Sequence, residues 1–152
     1  MSEPKIEFAE WVLSKEGLPY TWPTKENNYS GKDLKFALYK NVYDCSGLIT
    51  SAIYHVTQGR IDWRANGNCN FLFKQFKDTD DPRFGDLVFY GVGKNCLTHV
   101  MMYCSDGKVF GACGGNSDVT NPEIAKKRGA RVRFRDRVDY RPDFVAYKRL
   151  EL

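Results

Sequence analysis

No apolar run in this chain of 152 residues approaches the roughly 20 residues that a membrane-spanning helix requires. Its opening residues, Met1-Ser2-Glu3-Pro4-Lys5, are polar and lead into an amphipathic helix rather than a secretory signal. The expectation is therefore synthesis in the cytoplasm, with any export using another route. No C-x-x-C pair occurs among Cys45, Cys69, Cys96, Cys104 and Cys113, which argues against a structural zinc site. Their number is odd, and without a leader a disulfide framework is not expected. Internal repeats and low-complexity segments are lacking too. The formal charge of +4 is too weak to select an anionic partner by itself. Neither a nucleic-acid nor a membrane partner is expected, and no metal or cofactor. What these absences leave is a single domain over residues 1–152, long enough to bury one core.

The most informative stretch is Tyr43-Asp44-Cys45-Ser46-Gly47-Leu48-Ile49. After Asp44, the residues Leu48, Ile49, Ala52, Ile53 and Val56 recur at helical spacing and fill a stripe roughly 140° wide. Cys45 falls near the middle of that stripe, at the amino-terminal end of the helix, and His55 falls at its edge. Upstream, Pro4 to Lys15 reads as an amphipathic helix ended by Gly17, followed by the extended segment Leu18 to Pro23. A short helix is read between Ser30 and Tyr43, and another from Asn68 to Lys77, with Asp78 to Pro82 as its stop.

From Gly85 the pattern changes to strands. Asp86–Tyr90, Leu97–Cys104, Val109–Cys113, Ala130–Arg135 and Phe144–Tyr147 are expected strands, with a hairpin turn at Ser105-Asp106-Gly107-Lys108. Ser117 to Lys127 reads as a helix behind a loop. Helices first and a mostly antiparallel sheet afterwards make an α+β plan.

Cysteine reacts as its thiolate, and a helix amino terminus lowers the thiol pKa. Cys45 is thus a candidate nucleophile, with Asp44 placed to cap its helix and Gly47 keeping the surface beside the thiol open. The competing reading, a small buried residue in a capped helix, has equal standing on spacing alone. His55 lies nearly three turns along the same helix, too far to serve Cys45, and is assigned a structural role. His99 shares a strand face with Met101 and Tyr103. As a lone strand histidine, it reads first as a satisfied core residue rather than a base.

Four ordered stretches carry more information together than singly: Gly17-Leu18-Pro19-Tyr20-Thr21-Trp22, Asp44-Cys45-Ser46-Gly47-Leu48, Gly85-Asp86-Leu87-Val88-Phe89-Tyr90 and Thr98-His99-Val100-Met101-Met102-Tyr103. Their combination resembles the NlpC-type cell-wall cysteine peptidases. The resemblance implies a papain-like fold with the nucleophile at a helix amino terminus packed on an antiparallel sheet. It implies hydrolysis of peptide bonds in peptidoglycan stem peptides, with Cys45 as nucleophile and His99 as general base. Tyr20 matches a tyrosine that helps stabilise the oxyanion, although it also reads as a buried anchor of the turn after the first helix. Asp44 and Ser46 match residues that hold the polar end of a stem peptide in relatives, and both also suit helix capping.

Two departures from the family pattern stand out. Pro23 follows Trp22, and some twenty residues intervene before Asp44, where relatives have a Gly-Gly pair close to the nucleophile. The strand position expected to orient the histidine is Gly111, which has no side chain. Asn116 is the favoured substitute, with Ser117, Asp118 or a main-chain carbonyl as alternatives. The missing group motivates two other readings, a catalytically silent module that binds wall peptides or joins a tail assembly, and a related thiol acyltransferase. Ala112 to Ser117 and Tyr140-Arg141-Pro142-Asp143 are similar to a subset of the family from phage tail and lysis proteins. That similarity implies phage tail partners and a virion-associated or wall-delivered protein. Arg131, Arg133 and Arg135 alternate along one strand, which reads first as a solvated face.

Overall fold

The computed structural model describes residues 3–22, 42–65, 67–116 and 118–152. The short helix expected between Ser30 and Tyr43 lies outside the described residues but for its last two, and Val42 and Tyr43 are extended.

Among the described residues, four helices and six strands follow in the order α1 (Glu3–Leu13), α2 (Cys45–Val56), α3 (Cys69–Gln75), β1 (Lys77–Thr79), β2 (Leu87–Gly93), β3 (Cys96–Ser105), β4 (Lys108–Cys113), α4 (Pro122–Arg128), β5 (Arg131–Arg135) and β6 (Phe144–Arg149). A single 3-10 turn, Val138–Tyr140, lies between β5 and β6. The strands form one sheet in the order β1-β6-β2-β3-β4-β5, antiparallel at every pairing. This is the α+β plan expected. One element departs from it: Lys77, read as the end of the helix from Asn68, and Asp78-Thr79, read as the start of a turn, pair with Tyr147–Arg149 as an edge strand. The helix expected from Ser117 begins only at Pro122, where Asn121 caps it through Ile124 N–H at 2.9 Å.

The amphipathic stripes read from the sequence explain how the layers close. α1 buries Phe8, Ala9 and Val12, and α2 buries Leu48, Ile49, Ala52 and Ile53. They meet the inner face of the sheet, where Leu87, Phe89, Val100, Met102, Phe110 and Val132 are buried in the same cluster. Residues on the opposite pleat, Val88, Tyr90, Met101 and Val109, form a smaller cluster with Tyr103, Val138, Tyr140 and Tyr147.

The Gly85-Asp86 pair is the joint between helix and sheet. Gly85 has φ of +92°, and its missing side chain leaves room for the Lys5 stem, since a Cβ would stand 3.2 Å from Lys5 Cγ and Cε. Asp86 is fully buried. Its Oδ1 accepts from Lys5 Nζ at 2.5 Å and from Leu150 N–H at 3.0 Å, and its Oδ2 accepts from Arg83 N–H at 2.8 Å. Arg149 Nε lies 3.2 Å from the same Oδ2. A buried carboxylate with cations on two sides is compensated, and this one fastens α1 to the sheet.

Candidate active site

The amino end of α2 is set by Asp44. Its backbone is extended, with φ −84° and ψ 178°, and its Oδ1 accepts from Gly47 N–H at 2.6 Å. The cap starts the helix at Cys45, so that the thiol sits on the first turn, where unsatisfied N–H groups concentrate positive potential. Cys45 is 7% exposed and Ser46 is 5% exposed. Both border a cavity of about 870 Å³ that also takes in Tyr20, Asp44, His99 and Asn116. The six residues singled out from the sequence, spread over 97 positions from Tyr20 to Asn116, therefore share one cavity.

His99 comes from β3, directly opposite Tyr90 on β2. Its ring is 5% exposed, and its Nε2 is 2.8 Å from the Tyr140 hydroxyl. The expected orienting residue, Asn116, is exposed on the cavity wall, and the side-chain partner of His99 is Tyr140 instead. Gly111 has no space for the missing group: a Cβ there would stand 2.8 Å from Met101 Sδ. Tyr140 belongs to the 3-10 turn, and no local pattern in the sequence connects that turn to β3.

Tyr20 is 5% exposed, and burial raises its pKa well above the ordinary phenol value, with the neighbouring Cys45 and Asp44 charges adding to the effect. It therefore presents a neutral hydroxyl at neutral pH. Its main chain is pinned on two sides, by Tyr20 N–H donating to Ala130 O at 3.0 Å and by a parallel bridge to Tyr43.

A second thiol stands beside the first. Cys69, at the start of α3, has its Sγ 3.8 Å from Cys45 Sγ. Asn68 caps α3 through Phe71 N–H, and Asn70 Oδ1 accepts from Leu97 N–H at 2.9 Å, which fixes this short helix to β3. Neither Cys69 nor Tyr140 was singled out from the sequence. The Asn68 cap could have placed Cys69 on a first turn, but nothing local relates it to Cys45. His55 is exposed and stacks on Trp11 with ring centroids 5.1 Å apart, away from the cavity lining.

A capped cysteine on a helix, an antiparallel strand carrying a histidine and a shared cavity form a recognisable arrangement. The sequence model for the NlpC/P60 family matches residues 17–133. The chain belongs to the NlpC/P60 family.

Among solved structures, the fold is similar to the P60 domain of an antigen from M. avium subspecies paratuberculosis, at 18% identity and TM-score 0.64, covering 96% of this chain and 93% of that one. It is similar to RipD from Mycobacterium tuberculosis, at 17% identity and TM-score 0.65, covering 99% of this chain and 100% of that one. RipD is described as a non-catalytic NlpC/p60 domain protein adapted to peptidoglycan binding. NlpC1 from Trichomonas vaginalis matches at 18% identity and TM-score 0.64, and 98% of this chain spans 45% of that one. No curated protein sequence matches significantly. At these identities the neighbours establish the fold, and the family follows from the sequence model.

Proposed function

We propose that this NlpC/P60 domain is a cysteine peptidase that cuts peptide bonds in the stem peptides of peptidoglycan. The observation that carries the reading is that Cys45 of α2 and His99 of β3 line one cavity. In the proposed reaction the Cys45 thiolate adds to the scissile carbonyl. The developing oxyanion is met by the Cys45 main-chain N–H at the helix start and by the neutral Tyr20 hydroxyl. Imidazolium at His99 gives its proton to the leaving amine, and a water activated by the same ring then hydrolyses the thioester. Asp44 and Ser46, on the cavity wall beside the thiol, are the proposed holders of the polar end of the stem peptide. Trp22, 42% exposed on the same wall, offers an apolar face to the peptide.

The description of RipD as non-catalytic favours a second reading, in which the same cavity binds wall peptides without cutting them. Incubating purified peptidoglycan with the wild type and with Cys45→Ala, followed by mass analysis of released fragments, separates the two. Fragments released by the wild type alone support the peptidase. Equal binding of wall peptides by both proteins, with no fragments from either, makes the domain a binding module.

A further inference from the structure

We propose that Tyr140 is the positioning residue for His99, held in place through Tyr90 on the neighbouring strand. Three observations join into a closed ring of contacts. Tyr90 and His99 are register partners across β2 and β3. The Tyr90 hydroxyl donates to Val138 O at 2.7 Å, at the start of the 3-10 turn. Two residues on, Tyr140 places its own hydroxyl 2.8 Å from His99 Nε2. The far side of the segment is fixed as well. Gly91 N–H donates to Asp143 O at 2.9 Å, and Arg141 forks onto the Asp143 carboxylate at 2.6 and 2.7 Å. The turn thus hangs from β2, and β2 is the strand that sets where His99 stands.

With Nε2 engaged by Tyr140, Nδ1 is the ring nitrogen left to exchange a proton with Cys45. Burial raises the Tyr140 pKa above the ordinary phenol value, so its oxygen stays a neutral acceptor. A ring held at Nε2 by Tyr140 is fixed in one orientation, with Nδ1 free to take and return the Cys45 proton. The titratable and charged groups around the ring are Cys45 on α2, Tyr90 on β2, and Tyr140, Arg141 and Asp143 before β6. Cys113 and Arg135 lie behind Tyr140. Removal of the Tyr140 hydroxyl takes away its hydrogen bonds to His99 and Arg141 and none of these charges.

This role rests on Cys45 and His99 working as a pair, so one arm of the test needs no peptidoglycan. Tyr140→Phe is compared with the wild type for the pH profile of Cys45 alkylation by iodoacetamide, read at the Cys45 peptide, and for kcat and KM on wall peptides. The expected result is Cys45 alkylation near neutral pH slowed about tenfold, as for the loss of one hydrogen bond to a charged ring. kcat falls in the same proportion, with KM and the melting temperature unchanged. Tyr90→Phe gives the same change in weaker form and adds little to Tyr140→Phe. An alkylation profile unaltered by Tyr140→Phe overturns the role. A shifted alkylation profile in a protein that cuts no wall peptide supports the positioning role and overturns the proposed substrate.

The sulfur pair carries a separate inference: Cys69 is a resolving thiol that closes a disulfide onto Cys45 after oxidation by a hydroperoxide. The Cys45 thiolate attacks the peroxide oxygen, the O–O bond breaks, and Cys45 becomes a sulfenic acid as the leaving oxygen takes up a proton and departs as an alcohol, or as water from hydrogen peroxide. The Cys69 sulfur then displaces the hydroxyl, which takes the Cys69 thiol proton and leaves as water, and each thiol has in total lost one proton and one electron. A disulfide needs sulfurs about 2.05 Å apart, and the present 3.8 Å contact leaves only a short approach between them. The bond would mask the nucleophile reversibly. Peroxide followed by peptide mapping is expected to show a Cys45–Cys69 cross-link and recovery of Cys45 alkylation with dithiothreitol. In Cys69→Ser the sulfenic acid proceeds to sulfinic acid and recovery is lost. Absence of the cross-link, or equal recovery in Cys69→Ser, overturns it.

Discussion

The Tyr20 ring packs against Gly115: a Cβ at position 115 would run into Tyr20 Cδ1. The cavity wall after β4 is thus built to the thickness of the tyrosine. Gly115→Ala must push the ring or the loop aside. The expected outcome is a melting temperature lowered by a few degrees, for a destabilisation of about 1–3 kcal/mol. Proposed turnover falls with it, because the Tyr20 hydroxyl is displaced. Calorimetry and wall-peptide cleavage check the two effects on the same sample.

Tyr20→Phe keeps the packing and removes only the hydroxyl. If that group donates to the oxyanion, kcat falls by about 10²-fold with KM little changed, in the range seen for a single lost oxyanion donor. A variant that retains wild-type kcat assigns Tyr20 to packing alone.

Two substitutions at Asp44 separate capping from substrate binding. Asp44→Ala loses the acceptor for Gly47 N–H and is expected to cost about 1 kcal/mol of stability. Asp44→Asn keeps an acceptor oxygen and should melt close to the wild type. If the carboxylate holds an amine of the substrate, the asparagine variant raises KM for wall peptides all the same. Denaturant titration and steady-state kinetics together read the difference.

Asp86 offers the sharpest stability test. Replacing it with Ala leaves the Lys5 ammonium, 6% exposed, buried without its carboxylate. Loss of one partner from such a pair is expected to cost about 3–5 kcal/mol, seen as a lower midpoint in urea. Lys5→Met, which removes the charge and keeps the stem beside Gly85, should cost less than Asp86→Ala.

The Arg141–Asp143 fork gives a pH dependence. Arg141 holds the Asp143 carboxyl below the usual carboxylate range, chiefly by hydrogen bonding. A depressed folded pKa contributes stability that is complete above the unfolded value of about 3.9 and is lost as pH falls through the folded value. Wild type minus Asp143→Asn should therefore show a stability difference that is constant near neutrality and shrinks below about pH 4. Chemical denaturation at a series of pH values measures it.

The parts of this molecule legible in its sequence are those set by neighbours along the chain. The α2 stripe, the Asp44 cap and the hairpin at Asp106-Gly107 each depend on residues within a few positions, and each is present in the structure. The strand at Lys77–Thr79 was missed because its polar residues form a strand only by pairing with β6. Tyr140 was missed for the same kind of reason, as it reaches His99 across 41 positions. Gly111 has no side chain to offer His99, and the Tyr140 hydroxyl reaches the ring from a turn tied to β2, on the other flank of β3, which only the sheet order brings near. The Cys45–Cys69 contact likewise depends on how α3 lands against β3.

One carboxylate, Asp86, holds Lys5 from the first helix and the Leu150 N–H beyond the last strand. The two extremities of the described polypeptide are therefore neighbours in space. A short linker can join them, and the chain can be reopened at the exposed Ser105-Asp106 corner to give a circular permutant. Such a permutant would keep every contact around Cys45 while β4, α4, β5 and β6 leave the ribosome before α1, α2 and α3.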